Sequence, residues 1–169
     1  FLFPASQAEG YIARVIRARS GNAKSYMAYL EDVYTAIPDG LLAPFLGNHD
    51  TGRAIASLQA RQNPERAKFA EGILNMMGGA TFTYYGEEIG LRGSRGGANT
   101  DANRRLAMLW GDDDTIKDPE GTTYDGKKQT NGTVAEQLEN KESLFHHYSK
   151  VLTIRNTYPE IPRGDYKAL

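Results

Sequence analysis

The stretch Pro-Phe-Leu-Gly-Asn-His-Asp at residues 44–50 is an apolar run that ends abruptly on three polar side chains. Residues 41–46 predict a short buried strand, in which the proline disfavours a central antiparallel ladder. A strand that ends in Asn48, His49 and Asp50 delivers an amide, a titratable ring and a carboxylate to one place. In parallel α/β folds, ligands bind at the carboxyl ends of strands. The stretch is also compatible with a capped turn, in which Asn48 or Asp50 closes the next helix.

A second predicted strand lies one helix downstream, at the Thr-rich and aromatic residues 80–85. The helix between the two strands begins at Asn63, which is followed by Pro64 at the first helical position. The order strand, helix, strand with glycine links predicts a βαβ unit with parallel strands and a right-handed crossover. The apolar positions at helical spacing predict the buried face of this helix: Phe69, Ala70, Ile73, Leu74 and Met77.

Further helices are predicted at residues 9–18, 22–36, 53–60 and 142–157, and Asn22 is predicted to cap the second of them. Residues 86–140 show little periodicity, and a connection of that length is usually functional or partly disordered. Two parallel strands lack the neighbours that a parallel sheet needs on both sides. The sequence therefore predicts an α/β fold that is part of a larger barrel.

Composition excludes several classes of protein. The 169 residues carry 20 basic and 21 acidic side chains, a net charge of −1, so no broad field favours nucleic acid or an anionic membrane. The absence of cysteine excludes disulfides and thiolate metal sites. No apolar run is long enough to span a membrane. The chain starts at Phe1 without a signal-peptide pattern and stops within a predicted strand, so we expect it to be a segment of something larger.

Three segments resemble, in order and spacing, motifs of the α-amylase superfamily, glycoside hydrolase family 13. Residues 45–50 (FLGNHD) resemble its fourth conserved region, and residues 78–90 resemble its eighth barrel strand with the following turn. Residues 101–110 are similar to its Arg-x-Pro-Met-x-Trp segment, with Ala107 where proline is usual. The last predicted helix, which carries Arg155, fits the final barrel helix and the exit towards a C-terminal β domain.

The resemblance implies a partial (β/α)8 TIM barrel, whose strands correspond to the seventh and eighth of the family. It implies a barrel portion at residues 1–157 and an exit segment at residues 158–169. The implied activity is that of a retaining hydrolase of α-glucans such as starch or maltooligosaccharides. In the family, the position of Asp50 carries a third carboxylate that stabilises the transition state. The position of His49 hydrogen-bonds the same sugar, and Arg105 is predicted to reach a ligand or an acidic partner in the cleft.

Retaining glycosidases also need a carboxylate nucleophile and a carboxylic acid about 5 Å apart. The family motifs for these two groups are absent, so we expect no hydrolysis by the chain alone. No cofactor or metal site is expected in this segment, although calcium in the missing part of the parent is compatible with the family. The expected partners are an α-glucan, the remainder of the barrel and, through exposed edges, other copies of the chain. The alternative is a non-catalytic amylase-like scaffold or a carbohydrate-binding module.

Other candidate residues have competing interpretations. Glu87 and Glu88 form either an acid/base pair or a structural turn, which the family pattern favours. The aromatic side chains of Trp110, Tyr84 and Tyr85 either stack on sugar rings or join the core. Three further features are predicted to be solvated or non-functional: the acidic run at 112–114, the glycine-rich stretch at 93–97 and the histidine pair at 146–147.

Overall fold

The computed structural model describes residues 1–6, 9–17, 21–37, 42–61, 63–94, 101–113, 115–125 and 129–166. Among them, the two predicted strands are short extended segments that lie side by side. A single parallel bridge joins Phe45 and Phe82. The amide of Ala80 donates to the carbonyl of Leu42 at 2.8 Å, and the amide of Phe82 donates to that of Pro44 at 2.9 Å. The parallel direction agrees with the sequence, but the predicted full-length strands at 41–46 and 80–85 are not present in the described residues. Short pairing is expected, because a parallel strand is stabilised by neighbours on both sides.

The N-terminal residues supply a neighbour that the sequence reasoning did not assign. The amide of Leu2 donates to the carbonyl of Ala43 at 2.9 Å. The ring centroids of Phe1 and Phe3 lie 5.9 Å and 5.1 Å from that of Phe45, each nearly perpendicular to it. The segment that ends in the polar turn is therefore the middle one of three neighbouring segments: Ala43 bonds to the N-terminal residues, and Leu42 and Pro44 bond to residues 80–82.

The five predicted helices are present and are shorter at several ends, as expected for boundaries read from sequence, whereas two short helices at 134–139 and 160–163 were not predicted. In chain order they are α1 (Tyr11–Ile16), α2 (Ala23–Ala36), α3 (Ala54–Ser57), α4 (Pro64–Asn75), α5 (Val134–Glu139), α6 (Leu144–Thr157) and α7 (Glu160–Arg163). Short 3-10 turns occur at Phe3–Ala5, Glu87–Ile89 and Ala102–Arg104. The predicted cap at Asn22 is confirmed: its side chain accepts from the amide of Ser25 at 2.9 Å, and the Ser25 hydroxyl accepts from the Asn22 amide.

Helix α5 was not predicted, although the sequence carries a signal for it. Thr133 and Glu136 form a capping box, in which the Thr133 hydroxyl accepts from the Glu136 amide at 3.2 Å and the Glu136 carboxylate accepts from the Thr133 amide at 2.7 Å. A threonine followed three positions later by glutamate is the usual pattern of such a start. The helix has only six residues, too few for apolar periodicity to reveal it.

The buried face of α4 differs from the predicted one. Phe69 is 59% exposed, whereas Leu74 and Met77 are fully buried as predicted. Asn63 occupies the N-cap position but makes no side-chain cap bond. The helix is rotated so that the face packed against α1 and α6 includes polar side chains: Ala67, Ala70, Glu71, Leu74 and Asn75. Periodicity of apolar residues alone missed this rotation, because two members of the buried face are polar.

The buried polar side chains of α4 form a chain of contacts. The Asn75 amide group donates to the Glu71 carboxyl at 2.7 Å, and the Thr81 hydroxyl donates to the Asn75 side-chain oxygen at 2.8 Å. Nε2 of His147 in α6 lies 3.3 Å from the other Glu71 oxygen. Nε2 also lies 2.9 Å from the carbonyl of Lys68, which only accepts, so this nitrogen carries the proton. His147 was predicted to lie on the surface and is instead half-buried, because α6 turns it towards α4.

The end of α4 is held by a buried arginine and by the last described residues. Arg155 in α6 donates from Nη1 to the carbonyls of Asn75 and Met77 at 2.6 and 2.7 Å, which satisfies groups left open at a helix C-terminus. The amide of Gly79 donates to the carbonyl of Pro162 at 2.9 Å. The end of α6 at Thr157 coincides with the expected boundary at residue 157, and the division into two domains stays a prediction. Within the part of the chain that the structure describes, no helix is long and apolar enough to cross a membrane.

Candidate active site

The polar turn at the end of the middle segment is closed by Asn48. Its side-chain oxygen accepts from the amide of Asp50 at 2.9 Å, and its own amide donates to the hydroxyl of Thr51 at 2.9 Å. The capped-turn interpretation is therefore correct for Asn48, within the turn itself. Helix capping by Asn48 or Asp50 is wrong, because Arg53 is the N-cap residue of α3 and no side chain caps that helix. Since Asn48 performs the structural task, Asp50 projects from the turn.

His49 and Asp50 project side by side into solvent. Their side chains are 61% and 65% exposed, and Nε2 of His49 lies 3.3 Å from Oδ2 of Asp50. Both line a pocket of about 330 Å³. The pocket also contains aromatic rings from the three neighbouring segments and from the residues at their ends: Phe1, Phe3, Phe45, Phe82 and Tyr84. A pocket with an apolar surface and a few convergent polar groups is the usual form of a small-ligand site.

Arg105 reaches the same turn from the loop that follows the second segment. Its Nη2 donates to Oδ1 of Asp50 at 3.2 Å, and its Nε donates to the carbonyl of His49 at 3.3 Å. The structure thus brings together the three residues that the sequence selected, although Arg105 is more than fifty positions from the adjacent His49 and Asp50. The acidic partner of Arg105 in this structure is Asp50 itself, together with Asp101.

Arg53 is a buried residue next to the site, and the sequence reasoning did not identify it. It is fully buried, and its guanidinium carbon lies 4.5 Å and 4.4 Å from the ring centroids of Tyr84 and Tyr85. It also donates to the carbonyl of Tyr85. The Tyr85 hydroxyl donates to the carbonyl of Leu106 at 2.8 Å. Arg53 and Tyr85 therefore fasten the second segment to its neighbours, while Tyr84 contributes to the pocket. An arginine three positions after Asp50 is the only sequence signal, and it resembles an ordinary surface charge.

Glu87 is buried beneath the turn rather than placed in the pocket. Its carboxyl accepts from the amide of Tyr84 at 3.3 Å, and it is not among the described residues that line the pocket. Burial raises the pKa of Glu87 to about 8, against the opposing effects of the Tyr84 amide and of Arg53. A general acid must reach the bond that it protonates. This geometry favours the structural interpretation of the Glu87–Glu88 turn.

The remaining candidates lie away from the pocket. Trp110 is 52% exposed and so does not belong to the core. In the acidic run, Asp112 and Asp113 are exposed, and residue 114 lies outside the described residues. Residues 95–97 of the glycine-rich stretch also lie outside them. In the described ranges, no group of three or more His, Asp or Glu side chains is arranged to hold a metal ion.

Comparison with known proteins assigns the family. Residues 5–164 match the family described as "Alpha amylase, catalytic domain". The chain is 33% identical over 143 residues to the alpha-amylase SusG of Bacteroides thetaiotaomicron, an alignment that covers 85% of this chain and 20% of SusG. It is 26% identical over 161 residues to an oligo-1,6-glucosidase of Parageobacillus thermoglucosidasius, covering 72% of this chain and 28% of that protein.

Solved structures show the same relationship. Amy13B of Eubacterium rectale superposes with a TM-score of 0.88 at 34% identity, covering 99% of this chain and 33% of Amy13B. The α-amylase of H. orenii superposes with a TM-score of 0.73 at 27% identity, covering 96% of this chain and 32% of that one. These proteins are family 13 TIM barrels, and the chain spans a third or less of their length, which is consistent with a partial barrel. The chain belongs to the α-amylase catalytic-domain family, glycoside hydrolase family 13.

Proposed function

We propose that this chain is the part of a retaining α-glucan-active hydrolase that supplies Asp50 to stabilise the transition state and His49 to bind the sugar. Arg105 is the third member of the site. The extended segments that end at the turn and at Tyr85 correspond to the seventh and eighth strands of the barrel. The observation that supports this proposal most strongly is the exposed pair of His49 and Asp50. The Asn48 turn holds this pair at the carboxyl end of a parallel segment, and both side chains line an aromatic pocket.

The chemistry follows from charge development in the sugar. As the glycosidic bond breaks, positive charge accumulates on the ring in an oxocarbenium-like transition state. A carboxylate that accepts hydrogen bonds from ring hydroxyls interacts more strongly with this charged ring than with the neutral substrate. Only interactions that strengthen in this way accelerate the reaction. Asp50 is suited to this role because its side chain is exposed and is contacted by Arg105 and His49.

The nucleophile and the acid are proposed to lie in another part of a longer protein. Glu87 is buried under the turn, and no family motif for either group is present in the sequence. We therefore expect the isolated chain to be inactive. Calcium in the remainder of the parent stays a prediction, as does the division into residues 1–157 and 158–169.

The remainder of the barrel is the proposed partner of the exposed aromatic side chains around the pocket. Phe1, Phe3 and Phe82, which also line the pocket, are 77%, 54% and 47% exposed. A contiguous apolar patch of this kind marks an interaction surface. Without its partner, the isolated chain is expected to self-associate.

A non-catalytic amylase-like scaffold or a carbohydrate-binding module is the alternative. The arrangement of Asp50 favours the enzyme, since a scaffold has no need for an oriented carboxylate beside a histidine. The alternative predicts saccharide binding without turnover by the full-length protein.

Replacement of His49 tests the proposed site. We expect His49→Ala in the full-length protein to lower kcat/KM on maltooligosaccharides by about 30-fold, equivalent to about 2 kcal/mol of transition-state stabilisation, because an oriented hydrogen-bonding group is lost. The matched control is His146→Ala, since His146 contacts the carbonyl of Leu138 and is not among the described residues that line the pocket. Equal kinetic effects of the two substitutions would contradict the role given to His49.

A further inference from the structure

The loop that carries Arg105 contains a short 3-10 turn, Ala102–Arg104, and Asn103 in this turn anchors the loop. The side-chain oxygen of Asn103 accepts from the amides of Thr123 and Tyr124, each at 2.9 Å, and Asn103 is buried. These bonds join the loop to a later part of the chain. The loop is thus held in place by contacts that do not involve the active-site turn.

The charged side chains of the same loop face the active-site turn. Positions 101, 104 and 105 are three and four residues apart, a spacing that places them on one side of a helical turn. Arg104 donates from Nη1 to the backbone carbonyl of Asp50. Arg105 donates from Nε to the carbonyl of His49 and from Nη2 to the Asp50 carboxylate. Two guanidinium groups therefore contact both the backbone of the turn and its functional side chain.

Asp101 binds the same nitrogen atoms that reach the turn. Its Oδ1 accepts from Nη1 of Arg104 at 3.0 Å, and its Oδ2 accepts from Nη2 of Arg105 at 3.1 Å. One carboxylate thus bridges two adjacent guanidinium groups that would otherwise repel each other next to the turn. The two carboxylates of Asp50 and Asp101 thus match the two positive charges of Arg104 and Arg105.

We propose that Asp101 is a positioning residue for the reaction: it sets the orientation of Arg104 and Arg105, which in turn hold the Asp50 carboxylate in its productive direction. This inference rests on the proposed function of Asp50. It assigns a role to Asp101 that does not require contact with the substrate.

The exposure of the network separates this role from a structural one. Arg104 is 14% exposed and has a second acceptor in the carbonyl of Asp50, whereas the side chains of Asp101, Arg105 and Asp50 are 33%, 41% and 65% exposed. Ion pairs in such positions contribute about 0 to 1 kcal/mol to stability. Loss of Asp101 should therefore leave the fold nearly unchanged while it disturbs the direction of Asp50. A misplacement of about 1 Å in a catalytic arrangement costs up to roughly 100-fold in rate.

The test uses steady-state kinetics of the full-length protein on maltooligosaccharides. We expect Asp101→Asn to lower kcat by about 10-fold to 100-fold with little change in KM, and Asp101→Glu to retain more activity, since it keeps the bridging charge. In an Arg105→Gln background, Asp101→Asn should have less effect than in the wild type, because the two residues act as one unit. The matched control is Asp113→Asn, which removes the same charge from an exposed position of the same loop.

The outcomes are distinct. A kcat of Asp101→Asn equal to that of the control would overturn the inference, as would a fall in thermal stability that fully accounts for the lost activity. Full additivity with Arg105→Gln would also overturn it. If Asp50→Asn itself retained normal turnover, the proposed function would fail first, independently of Asp101.

Discussion

Asp50→Asn in the full-length protein should lower kcat on maltooligosaccharides by about 100-fold to 1,000-fold, the range seen when one oriented polar group that acts on a transition state is lost. Asparagine keeps the size of the side chain and removes its negative charge. The loss should fall on kcat rather than KM, because the carboxylate interacts most strongly with the positively charged ring of the transition state.

The fold should survive this substitution. The turn is closed by the backbone amide of Asp50 and the side chain of Asn48, and neither is altered. Because the Asp50 side chain is 65% exposed, its charge contributes little to stability. Asp112→Asn, an equivalent change at an exposed position, serves as the control. Near-normal turnover of Asp50→Asn in a folded protein would refute the role given to Asp50.

Glu71→Gln should change how stability depends on pH. Burial raises the pKa of Glu71 from its ordinary 4.5 to about 8, against the opposing hydrogen bond from Asn75. Burial also lowers the pKa of the neighbouring His147, and both shifts disfavour an ion pair between the two side chains. Between pH 4.5 and 8 Glu71 binds more protons in the folded state than in the unfolded state, so its contribution to stability falls as the pH rises through this window.

The contribution of Glu71 to the unfolding free energy should fall by an amount on the order of 3 to 5 kcal/mol between pH 4.5 and 8. Glutamine keeps the acceptor for Asn75 and cannot ionise. The variant should therefore not lose stability through the ionisation of residue 71, and it should be more stable than the wild type above pH 8. The measurement is the difference in unfolding free energy, or in Tm, between variant and wild type from pH 4.5 to 8.5. A difference is needed because Glu87 also titrates with a raised pKa.

The matched control is Glu65→Gln on the same helix, where the side chain is 72% exposed and pairs with Lys68. It should shift stability by less than about 1 kcal/mol, with no comparable change across the window. Parallel curves for Glu71→Gln and the wild type would show that Glu71 is ionised in the folded protein.

The sequence predicted the local features of the site better than its supports. Short motifs reveal features that depend on neighbouring residues, such as the turn, the N-cap of α2 and the order of the longer helices. A family motif whose three segments keep their order predicted that Arg105 reaches a ligand or an acidic partner, but it did not identify Asp50 as that partner. In contrast, the bridging contacts of Asp101 depend on where one 3-10 turn lies relative to a distant strand end, which local patterns do not encode.

Buried polar residues account for most of the errors in the fold. Glu71 and Asn75 occupy the inner face of α4, and Arg53 lies between two tyrosines. Side chains of these types are mostly exposed in proteins, and they are buried only where partners from distant segments compensate them. A hydrophobic pattern assigns such positions to solvent, which is why the predicted face of α4 contained the exposed Phe69 instead.

The most direct test of the account compares α-glucan hydrolysis by the purified 169-residue chain with hydrolysis by the full-length protein that contains it. We predict hydrolysis of maltooligosaccharides by the full-length protein and none by the chain alone, because the proposed role of Asp50 is to assist a nucleophile and an acid that lie outside the chain. Measurable hydrolysis by the chain alone would contradict the claim that the nucleophile and the acid lie outside it. Saccharide binding without any turnover by the full-length protein would instead support the scaffold alternative and contradict the proposed enzyme.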